Sequence, residues 1–355
     1  MKNLKEKPGE SSASLSNNDT LPIYKLWACN HRKEVKMEGD KAIRIGVIGT
    51  GMIGTSIAVL MTGHGYKTTL LAMNDELQEK SRQQYETFYQ ALMEKGLVSY
   101  EQFAIIQTYL SYTQTYAELA DVDYIFECAF EKLSVKHEIY SKIEAEIKDP
   151  HAIISTTSAL SADDLAAGMD RYSDRMVVAH PFFPPHLVPY WEVVKSKKTK
   201  AGIAEDVASL LESVDREVVV LKKNAPGFIA NRLQHALFRE AINIVERGIA
   251  DPRDVDKAAM YSFMPRYTKI GIFEHLDNSG VDLNYDIENY LFKDLSNADC
   301  APKMICDLME KKEYGVKSGK GVYDWSQVDM DDFRARISAP YWDFFNWKMP
   351  DNKNE

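Results

Sequence analysis

The fold of this chain is decided by one stretch, Ile43-Arg44-Ile45-Gly46-Val47-Ile48-Gly49-Thr50-Gly51-Met52-Ile53-Gly54, in which a short β-type run meets a glycine-rich turn. From Met52 to Met61 the apolar spacing is helical, and a second β-type run follows from Lys67 to Met73. A strand, a helix and a strand in this order form a βαβ unit, whose two strands lie parallel. The stretch therefore predicts the first unit of a parallel sheet.

The alternation of strands and helices continues after this unit. The further predicted elements are a polar helix over residues 75–96, a buried strand at Val122–Cys128, an amphipathic helix at Lys132–Ile147, a strand at Ala152–Ser155, a short helix at Ala162–Ala167 and a strand at Arg175–Ala179. This pattern favours an α/β fold with a Rossmann-type, doubly wound, mostly parallel sheet. From Pro226 onward the apolar residues follow helical spacing, so we expect an all-helical C-terminal domain.

Composition narrows the class of protein. The 355 residues include 43 Lys and Arg against 53 Asp and Glu, a formal net charge of −10, which disfavours binding to nucleic acid or to an anionic membrane. The four cysteines show no CxxC spacing, so we expect reduced thiols and no metal site. The chain has no long apolar run and no secretory leader pattern. These features predict a cytoplasmic protein that binds a small molecule.

The glycine-rich turn carries the first functional signal. Gly49, Gly51 and Gly54 form a GxGxxG pattern between a strand and a helix, with Met52 and Ile53 inside it. In a dinucleotide site the first glycine makes the tight turn, the second admits the pyrophosphate, and the third lets the helix pack on the strand. The motif and its βαβ context together predict a dinucleotide site.

The residues after the second strand bear on which dinucleotide binds. The position that usually carries an acid for the adenine ribose is Ala72, and Asn74 and Asp75 follow it. A bare small residue is also compatible with NADP, but the next basic residue is as distant as Lys80. We therefore favour NAD, with Asn74 or Asp75 as the substitute partner of the ribose hydroxyl.

The chain is expected to divide into four segments. Residues 1–40 are a polar N-terminal extension that is partly loose, residues 41–224 form the NAD-binding Rossmann domain, and residues 225–325 form the helical domain. Residues 326–355 form an aromatic-rich tail. Its aromatic residues are Tyr341, Trp342, Phe344, Phe345 and Trp347. We expect these rings to pack on the chain itself or on a sister subunit, and the alternative is a lid over the substrate cleft.

Four polar residues lie beyond the first half of the sheet, each in a distinct motif. They are Ser158 in STTSAL, His180 in VVAHPFFPPH, Glu192 in VPYWEVV and Asn231 in APGFIANRLQ. Each has an ordinary structural interpretation by itself, such as a capping serine or a surface acid. Their order and spacing, with the glutamate twelve positions after the histidine, are more specific than any one of them.

Over residues 43–325 these motifs resemble the 3-hydroxyacyl-CoA dehydrogenase family. The segments HPFFPPHLVP, FIANRLQHALFREA and Met264-Pro265-Arg266-Tyr267 are similar to its lambda-crystallin or L-gulonate 3-dehydrogenase branch, to which carnitine dehydrogenases are also similar. The resemblance implies NAD as cofactor and a homodimer that forms through the helical domain. Phe183 departs from the family, which usually has Asn at this position, and is therefore a candidate substrate-binding residue.

The resemblance also implies roles for the polar residues. His180 is the general base that takes the proton of a secondary alcohol, and Glu192 orients its ring. Ser158 donates to the substrate oxygen, while Asn231 polarises the neighbouring carbonyl. Glu131 and Lys136 match cofactor-side positions of the family.

The substrate stays open between two kinds of molecule. The expected reaction interconverts an L-3-hydroxyacyl-CoA, such as 3-hydroxybutyryl-CoA, and its 3-keto form. A free 3-hydroxy acid, gulonate-like or carnitine-like, is the alternative, because the segment over residues 76–110 is net acidic and Arg266 suits a carboxylate. An alternative of another class is a structural or regulatory protein that binds NADH without turnover.

Overall fold

The structure is a computed structural model, and it describes residues 42–342. The predicted N-terminal extension over residues 1–40 lies outside the described residues. So do Phe344, Phe345 and Trp347 of the predicted tail.

The centre of the fold is an eight-stranded sheet. Its strands are β1 (Arg44–Ile48), β2 (Lys67–Leu71), β3 (Leu110–Thr113), β4 (Tyr124–Glu127), β5 (Ala152–Ser155), β6 (Met176–Pro181), β7 (Tyr190–Lys195) and β8 (Glu217–Val220). They lie in the order β3-β2-β1-β4-β5-β6-β7-β8, and all neighbours are parallel except the antiparallel pair β6 and β7. The predicted Rossmann-type sheet is confirmed, and its order reverses between β1 and β4, where such sheets bind dinucleotides.

Helices cover both faces of this sheet, which is why its inner strands are mostly apolar. The helices of this part are α1 (Met52–Gly63), α2 (Asp75–Glu94), α3 (Tyr100–Ile106), α4 (Leu133–Glu146), α5 (Ala162–Ala167) and α6 (Ile203–Ser213). In β4, Tyr124 and Phe126 pack into one hydrophobic core and Ile125 into the other, because successive side chains of a strand point to opposite faces. Each fully buried side chain of this size contributes roughly 1.5–3 kcal/mol through burial.

Strand register brings the polar residues to one edge of the sheet. Ile48 of β1 lies opposite Glu127 of β4, which lies opposite Ser155 of β5, which in turn lies opposite Val178 of β6. Because these four strands are parallel, their carboxyl ends meet at the same edge. His180 comes two residues beyond Val178, so it lies at that edge as well.

The rest of the described chain is helical. Its helices are α7 (Ala230–Glu246), α8 (Pro252–Tyr261), α9 (Ile272–Ser279), α10 (Val281–Leu291), α11 (Lys303–Glu310) and α12 (Met330–Trp342). The chain divides into two compact units; among the described residues, 256–294 form the smaller unit, and 42–255 with 295–342 form the larger one. The domain boundary expected near residue 225 stays a prediction. Across residues 42–342, every helix is too short or too polar to span a membrane.

Candidate active site

The turn between β1 and α1 needs each of its three glycines for a different reason. Gly49 has a φ of +112°, and a Cβ there would lie 2.7 Å from the carbonyl oxygen of Cys128. At Gly54 a Cβ would lie 1.9 Å from the carbonyl oxygen of Gly49, so only glycine lets α1 pack against the turn. At Gly51, by contrast, no atom of the described residues lies within 4 Å of a Cβ position. The turn is closed at two glycines and open at the one that must admit a pyrophosphate.

The start of α1 is suited to the same ligand. Gly51 is its N-cap residue; no side chain of the described residues caps this helix, and its first turn contains no acid. The side chains of Asn74 and Ser99, in contrast, cap α2 and α3. An uncapped helix start offers backbone N–H groups and the positive end of the helix dipole to a phosphate. Met52 and Ile53 form part of this first turn, so the residues present fit NAD.

The chain that leaves β2 carries the two candidate partners of the ribose. Ala72 is buried at the end of the strand. The side-chain oxygen of Asn74 caps α2 by accepting from the backbone N–H of Leu77, at 2.9 Å. Asp75 accepts a hydrogen bond from the side chain of Gln114, at 2.5 Å. The amide nitrogen of Asn74 and the carboxylate of Asp75 therefore remain the groups proposed for a ribose hydroxyl.

His180 and Glu192 meet because β6 and β7 form an antiparallel pair. Their register places His180 directly opposite Glu192, which explains the spacing of twelve residues seen in the sequence. The Nδ1 atom of His180 lies 3.3 Å from Oε2 of Glu192. Glu192 is fully buried, and His180 is 7% exposed. The histidine ring is thus held by a carboxylate that water does not reach.

The surroundings of Glu192 keep its side chain ionised. Burial by itself would raise the pKa of this carboxyl group, but the hydrogen bonds from His180 and from the backbone N–H groups of Ala230 and Ile229 outweigh burial and lower the pKa. These N–H groups donate at 3.0 and 2.7 Å, and the hydroxyl of Tyr190 donates at 3.3 Å. An ionised carboxylate only accepts, so Nδ1 of His180 carries the proton and Nε2 is left as the basic nitrogen.

The contacts of Glu192 also fix the start of α7, which carries Asn231. Gly227 and Phe228 reverse the chain just before this helix, with φ of +75° and +51°. The ring of Phe228 then packs at 5.4 Å from the ring of His180, measured between centroids. Asn231 is half-buried in the first turn of α7. The structure therefore brings Asn231 to the same end of the sheet as the histidine and the glutamate.

Ser158 lies in an exposed loop after β5, and Glu131 holds this loop. One oxygen of Glu131 accepts from the hydroxyl of Thr157 and from the backbone N–H groups of Ser158 and Ala159, the latter two at 3.0 and 3.2 Å. Its other oxygen lies 3.4 Å from Nζ of Lys136. Burial alone would raise the pKa of Glu131, yet these donors and the lysine lower it. Glu131 and Lys136, expected beside the cofactor, thus have protein partners in the structure.

Lys136 leads to a carboxylate that the sequence analysis does not single out. Glu127 is fully buried at the end of β4, and its two oxygens lie 2.8 and 3.0 Å from Nζ of Lys136. The hydroxyls of Tyr140 and Ser155 and the backbone N–H of Ala129 also donate to it, at 2.9, 2.7 and 2.8 Å. The signal was present in the sequence, since an acid that ends an otherwise apolar buried strand needs a partner.

A second contact that the sequence did not predict joins the β6–β7 connection to α1. The Nδ1 atom of His186 lies 2.7 Å from the hydroxyl oxygen of Ser56, which also accepts from the backbone N–H of His186 at 3.0 Å. The buried guanidinium of Arg216 donates to the carbonyl oxygen of His186. Burial, and then the charge of Arg216, lower the pKa of His186 to about 3, so its ring is neutral.

The two remaining candidates for substrate binding have different surroundings. Phe183 lies in the β6–β7 connection and is 55% exposed, so its ring is available for contact. Arg266 lies in the smaller unit, where its guanidinium donates to the carbonyl oxygen of Ser262 and lies 3.2 Å from Nε2 of His275. The described contacts of Arg266 are thus made within that unit, and its role toward substrate stays a prediction.

The chemistry available at this edge of the sheet is that of alcohol oxidation. A secondary alcohol loses a proton and a hydride together, and here a basic histidine nitrogen lies at the same sheet edge as a helix start built for a dinucleotide. Fold and site define a nicotinamide-dependent dehydrogenase. The family model of the 3-hydroxyacyl-CoA dehydrogenase NAD binding domain matches residues 44–225, and that of the C-terminal domain matches residues 227–325. The chain belongs to the 3-hydroxyacyl-CoA dehydrogenase family, so the predicted family, enzyme class and cofactor NAD are confirmed.

Individual relatives differ in what their names say they act on. The 5-formyl-3-hydroxy-2-methylpyridine 4-carboxylate 5-dehydrogenase of Mesorhizobium japonicum is 29% identical over 280 residues, which cover 79% of this chain and 89% of that protein. The L-carnitine dehydrogenase of Staphylococcus epidermidis is 28% identical over 310 residues, covering 84% and 95%. A crystal structure of a 5-formyl-3-hydroxy-2-methylpyridine 4-carboxylic acid 5-dehydrogenase, described as an NAD+ dependent dismutase, has a TM-score of 0.76 at 28% identity and covers 84% of this chain and 96% of its own.

Proposed function

We propose that this enzyme oxidises the hydroxyl group of a free 3-hydroxy acid to a ketone, with NAD as the oxidant. The observation that carries the proposal is the buried contact between His180 and Glu192. It leaves one ring nitrogen basic and supplies the negative charge that stabilises the imidazolium once that nitrogen takes the proton. A histidine in this role contributes roughly 10²- to 10⁴-fold in rate.

The other predicted residues bind the cofactor or the substrate. NAD, when bound, accepts the hydride. The N–H groups at the start of α1, with Met52 and Ile53 in that turn, would hold its pyrophosphate. Ser158 donates a hydrogen bond to the reacting oxygen, and Asn231 donates to the neighbouring carboxyl group from the first turn of α7. Glu192 keeps the proton on Nδ1 of His180 throughout, because an ionised carboxylate only accepts.

The charges of α2 support a free acid over a CoA thioester. Lys80 and Arg82 are the basic residues of this helix, and both are paired on the helix surface. The Nζ atom of Lys80 lies 2.6 Å from a carboxylate oxygen of Glu76, and the guanidinium of Arg82 lies 3.6 Å from Glu79. Paired lysine and arginine residues in an acidic helix offer little attraction to the phosphates of CoA. The names of the carboxylate and carnitine dehydrogenases among the relatives agree with this choice.

An L-3-hydroxyacyl-CoA such as 3-hydroxybutyryl-CoA is the second candidate substrate. It is favoured by the match of both family models, which together span the sheet and the helical region. The polar residues proposed for the reacting oxygen and its neighbouring carbonyl serve a thioester equally well. The two candidates therefore differ in what binds beyond the reacting carbons.

A panel of hydroxy substrates tests the proposal. NADH formation is followed by absorbance with L-carnitine, L-gulonate, L-3-hydroxybutyrate and L-3-hydroxybutyryl-CoA. We expect turnover with a free acid, and a loss of roughly 10²- to 10⁴-fold in kcat for His180→Gln and for Glu192→Gln, with NADH affinity measured by fluorescence unchanged. Turnover with the CoA thioester alone would replace the first candidate by the second, and full activity of His180→Gln would remove this histidine from the mechanism.

Arg266→Met serves as the matched probe of the carboxylate. If Arg266 binds the free carboxyl group, this variant loses activity with the free acids and keeps any activity with the thioester. A loss confined to the thioester would exclude that role.

A further inference from the structure

Five consecutive residues that leave β5 are each held by one of two glutamates. Glu127 accepts from the hydroxyl of Ser155 through its side chain, at 2.7 Å, and from the N–H and hydroxyl of Thr156 through its carbonyl oxygen, at 3.0 and 3.2 Å. Glu131 accepts from the next three residues, Thr157, Ser158 and Ala159. Thr156 thus continues the pairing of β5 with β4, whereas the backbone that carries Ser158, beyond the strand, is held by the carboxylate of Glu131.

Lys136 connects the two glutamates. Its ammonium group lies 2.8 Å from a carboxylate oxygen of Glu127 and 3.4 Å from one of Glu131, and its side chain is 1% exposed. It also donates to the carbonyl oxygen of Ala129, at 3.4 Å. A buried cation between two carboxylates fixes both of them, because each would otherwise repel the other or turn toward water.

The ion pair of Glu127 and Lys136 is not explained by its contribution to the stability of the core. An apolar pair at these positions would satisfy the core at lower cost in desolvation, since buried ion pairs contribute little to stability against well-packed apolar residues. An apolar pair at these two positions would not hold the carboxylate of Glu131 against the N–H groups of Ser158 and Ala159. The charge of Lys136 therefore fixes the carboxylate of Glu131, which in turn holds the loop over residues 157–159.

We propose that Glu127 and Lys136 are positioning residues, which act through Glu131 to hold the Thr157–Ala159 loop and thereby place the hydroxyl of Ser158 at the reacting oxygen. The part of this inference that concerns Ser158 rests on the proposed function. The part that concerns the loop does not. A displacement of about 1 Å at a reacting group reduces turnover on the order of 10²-fold.

The experiment compares Lys136→Met, Glu127→Gln and the double variant Glu127→Gln/Lys136→Met. Each single variant leaves a buried charge without its partner, so both are expected to be less stable than the wild type. The double variant removes both charges and recovers thermal stability. Lys142→Met is the matched control, since it makes the same substitution at an exposed lysine of the same helix.

Hydrogen exchange measured by mass spectrometry reads the loop directly. In the double variant we expect the peptide that contains Ser158 and Ala159 to exchange at least about tenfold faster than in the wild type, while the peptide of β4 stays protected. Lys142→Met keeps the protection of both peptides. Unchanged protection of the loop in a stable double variant would overturn the proposal.

Turnover separates this inference from the proposed function. With an active substrate, the double variant is expected to lose on the order of 10²-fold in kcat. Adding Ser158→Ala to it should then cost nothing more, although Ser158→Ala alone lowers kcat. Activity that recovers together with stability would reduce the pair to a structural role. If the wild type turns over none of the hydroxy substrates while the exchange result holds, the proposed function fails and the positioning of the loop stands.

Discussion

His186 gives the stability of this enzyme a defined dependence on pH. This residue of the β6–β7 connection is buried against α1 and α2, with its ring 2.7 Å from the hydroxyl of Ser56 and 4.4 Å, between ring centroids, from Phe88. The ring is neutral in the folded protein, because burial and the charge of Arg216 lower its pKa to about 3. In the unfolded chain an ordinary histidine has a pKa of about 6.5.

The sign of this pH dependence follows from the number of protons that the folded and the unfolded states bind. Between these two pKa values the unfolded chain binds a proton that the folded protein does not bind, so acid favours unfolding. The contribution of His186 is fully present above about pH 6.5 and falls as the pH falls toward 3. At about 1.4 kcal/mol for each pH unit, lowering the pH from 7 to 5 removes about 2 kcal/mol from the free energy of unfolding.

The variant His186→Gln tests this magnitude. Glutamine does not titrate, but it loses the ring contact with Phe88 and weakens the bond to Ser56, which costs roughly 1–2 kcal/mol at neutral pH. Urea unfolding at about pH 7.5, 6 and 5 gives the difference in the free energy of unfolding between variant and wild type. These pH values are about one unit or more apart and lie on both sides of the pKa of histidine in the unfolded chain. We expect the variant to be less stable at the highest pH, and the difference to vanish or reverse at the lowest.

A matched control separates titration from packing. Ser81 is also buried against α1, where its hydroxyl lies 2.8 Å from that of Thr55. Because neither group titrates in this range, Ser81→Ala should lower stability by the same amount at each pH. A constant difference between His186→Gln and the wild type across the series would refute the assignment of a neutral, acid-sensitive His186.

Two further predictions concern the glycine turn and the assembly. Gly51→Ala places a methyl group in open space and should weaken NADH binding, measured by fluorescence, with little change in thermal stability. Gly54→Ala collides with the carbonyl oxygen of Gly49 and should lower both NADH affinity and thermal stability. Equal effects of the two variants would contradict the assigned roles. The helix α7 has no buried residue and exposes Leu233, Leu237 and Phe238 by 52%, 38% and 47%. If this face forms the predicted homodimer interface, Leu237→Glu should shift the mass measured by light scattering toward the monomer. A wild type that is monomeric at every concentration would exclude the dimer.

Local sequence patterns were sufficient for the cofactor turn and for β1, β2, β4, β5 and β6, whereas β3, β7 and β8 became evident only in the structure. The glycines of the turn, the apolar strands and the helical spacing of α1 are properties of neighbouring residues, and a period of two or of about 3.6 residues reports them directly. The separation of twelve positions between His180 and Glu192 was visible in the sequence, but β7 was not predicted, and only the structure shows that antiparallel pairing with β6 sets the two residues opposite each other.

The contacts missed by sequence reasoning join distant parts of the chain. Ser56 and His186 are 130 residues apart, and Glu127 and Ser155 are 28 apart. No periodic pattern links such positions. The acid at the end of β4 signalled that a partner was needed, but it did not identify Lys136, Tyr140 or Ser155 as that partner.

The amino-acid sequence by itself therefore indicated five of the eight strands, the dinucleotide turn and, through the family resemblance, the four polar residues proposed for the chemistry. Only the tertiary structure decided which groups share a proton or a charge: that Nδ1 of His180 meets an ionised Glu192, that the first N–H groups of α7 hold this carboxylate, and that Lys136 lies between two glutamates. The physical reason is that protonation and orientation depend on burial and on distances of a few ångströms, and these exist only once the sheet has assembled.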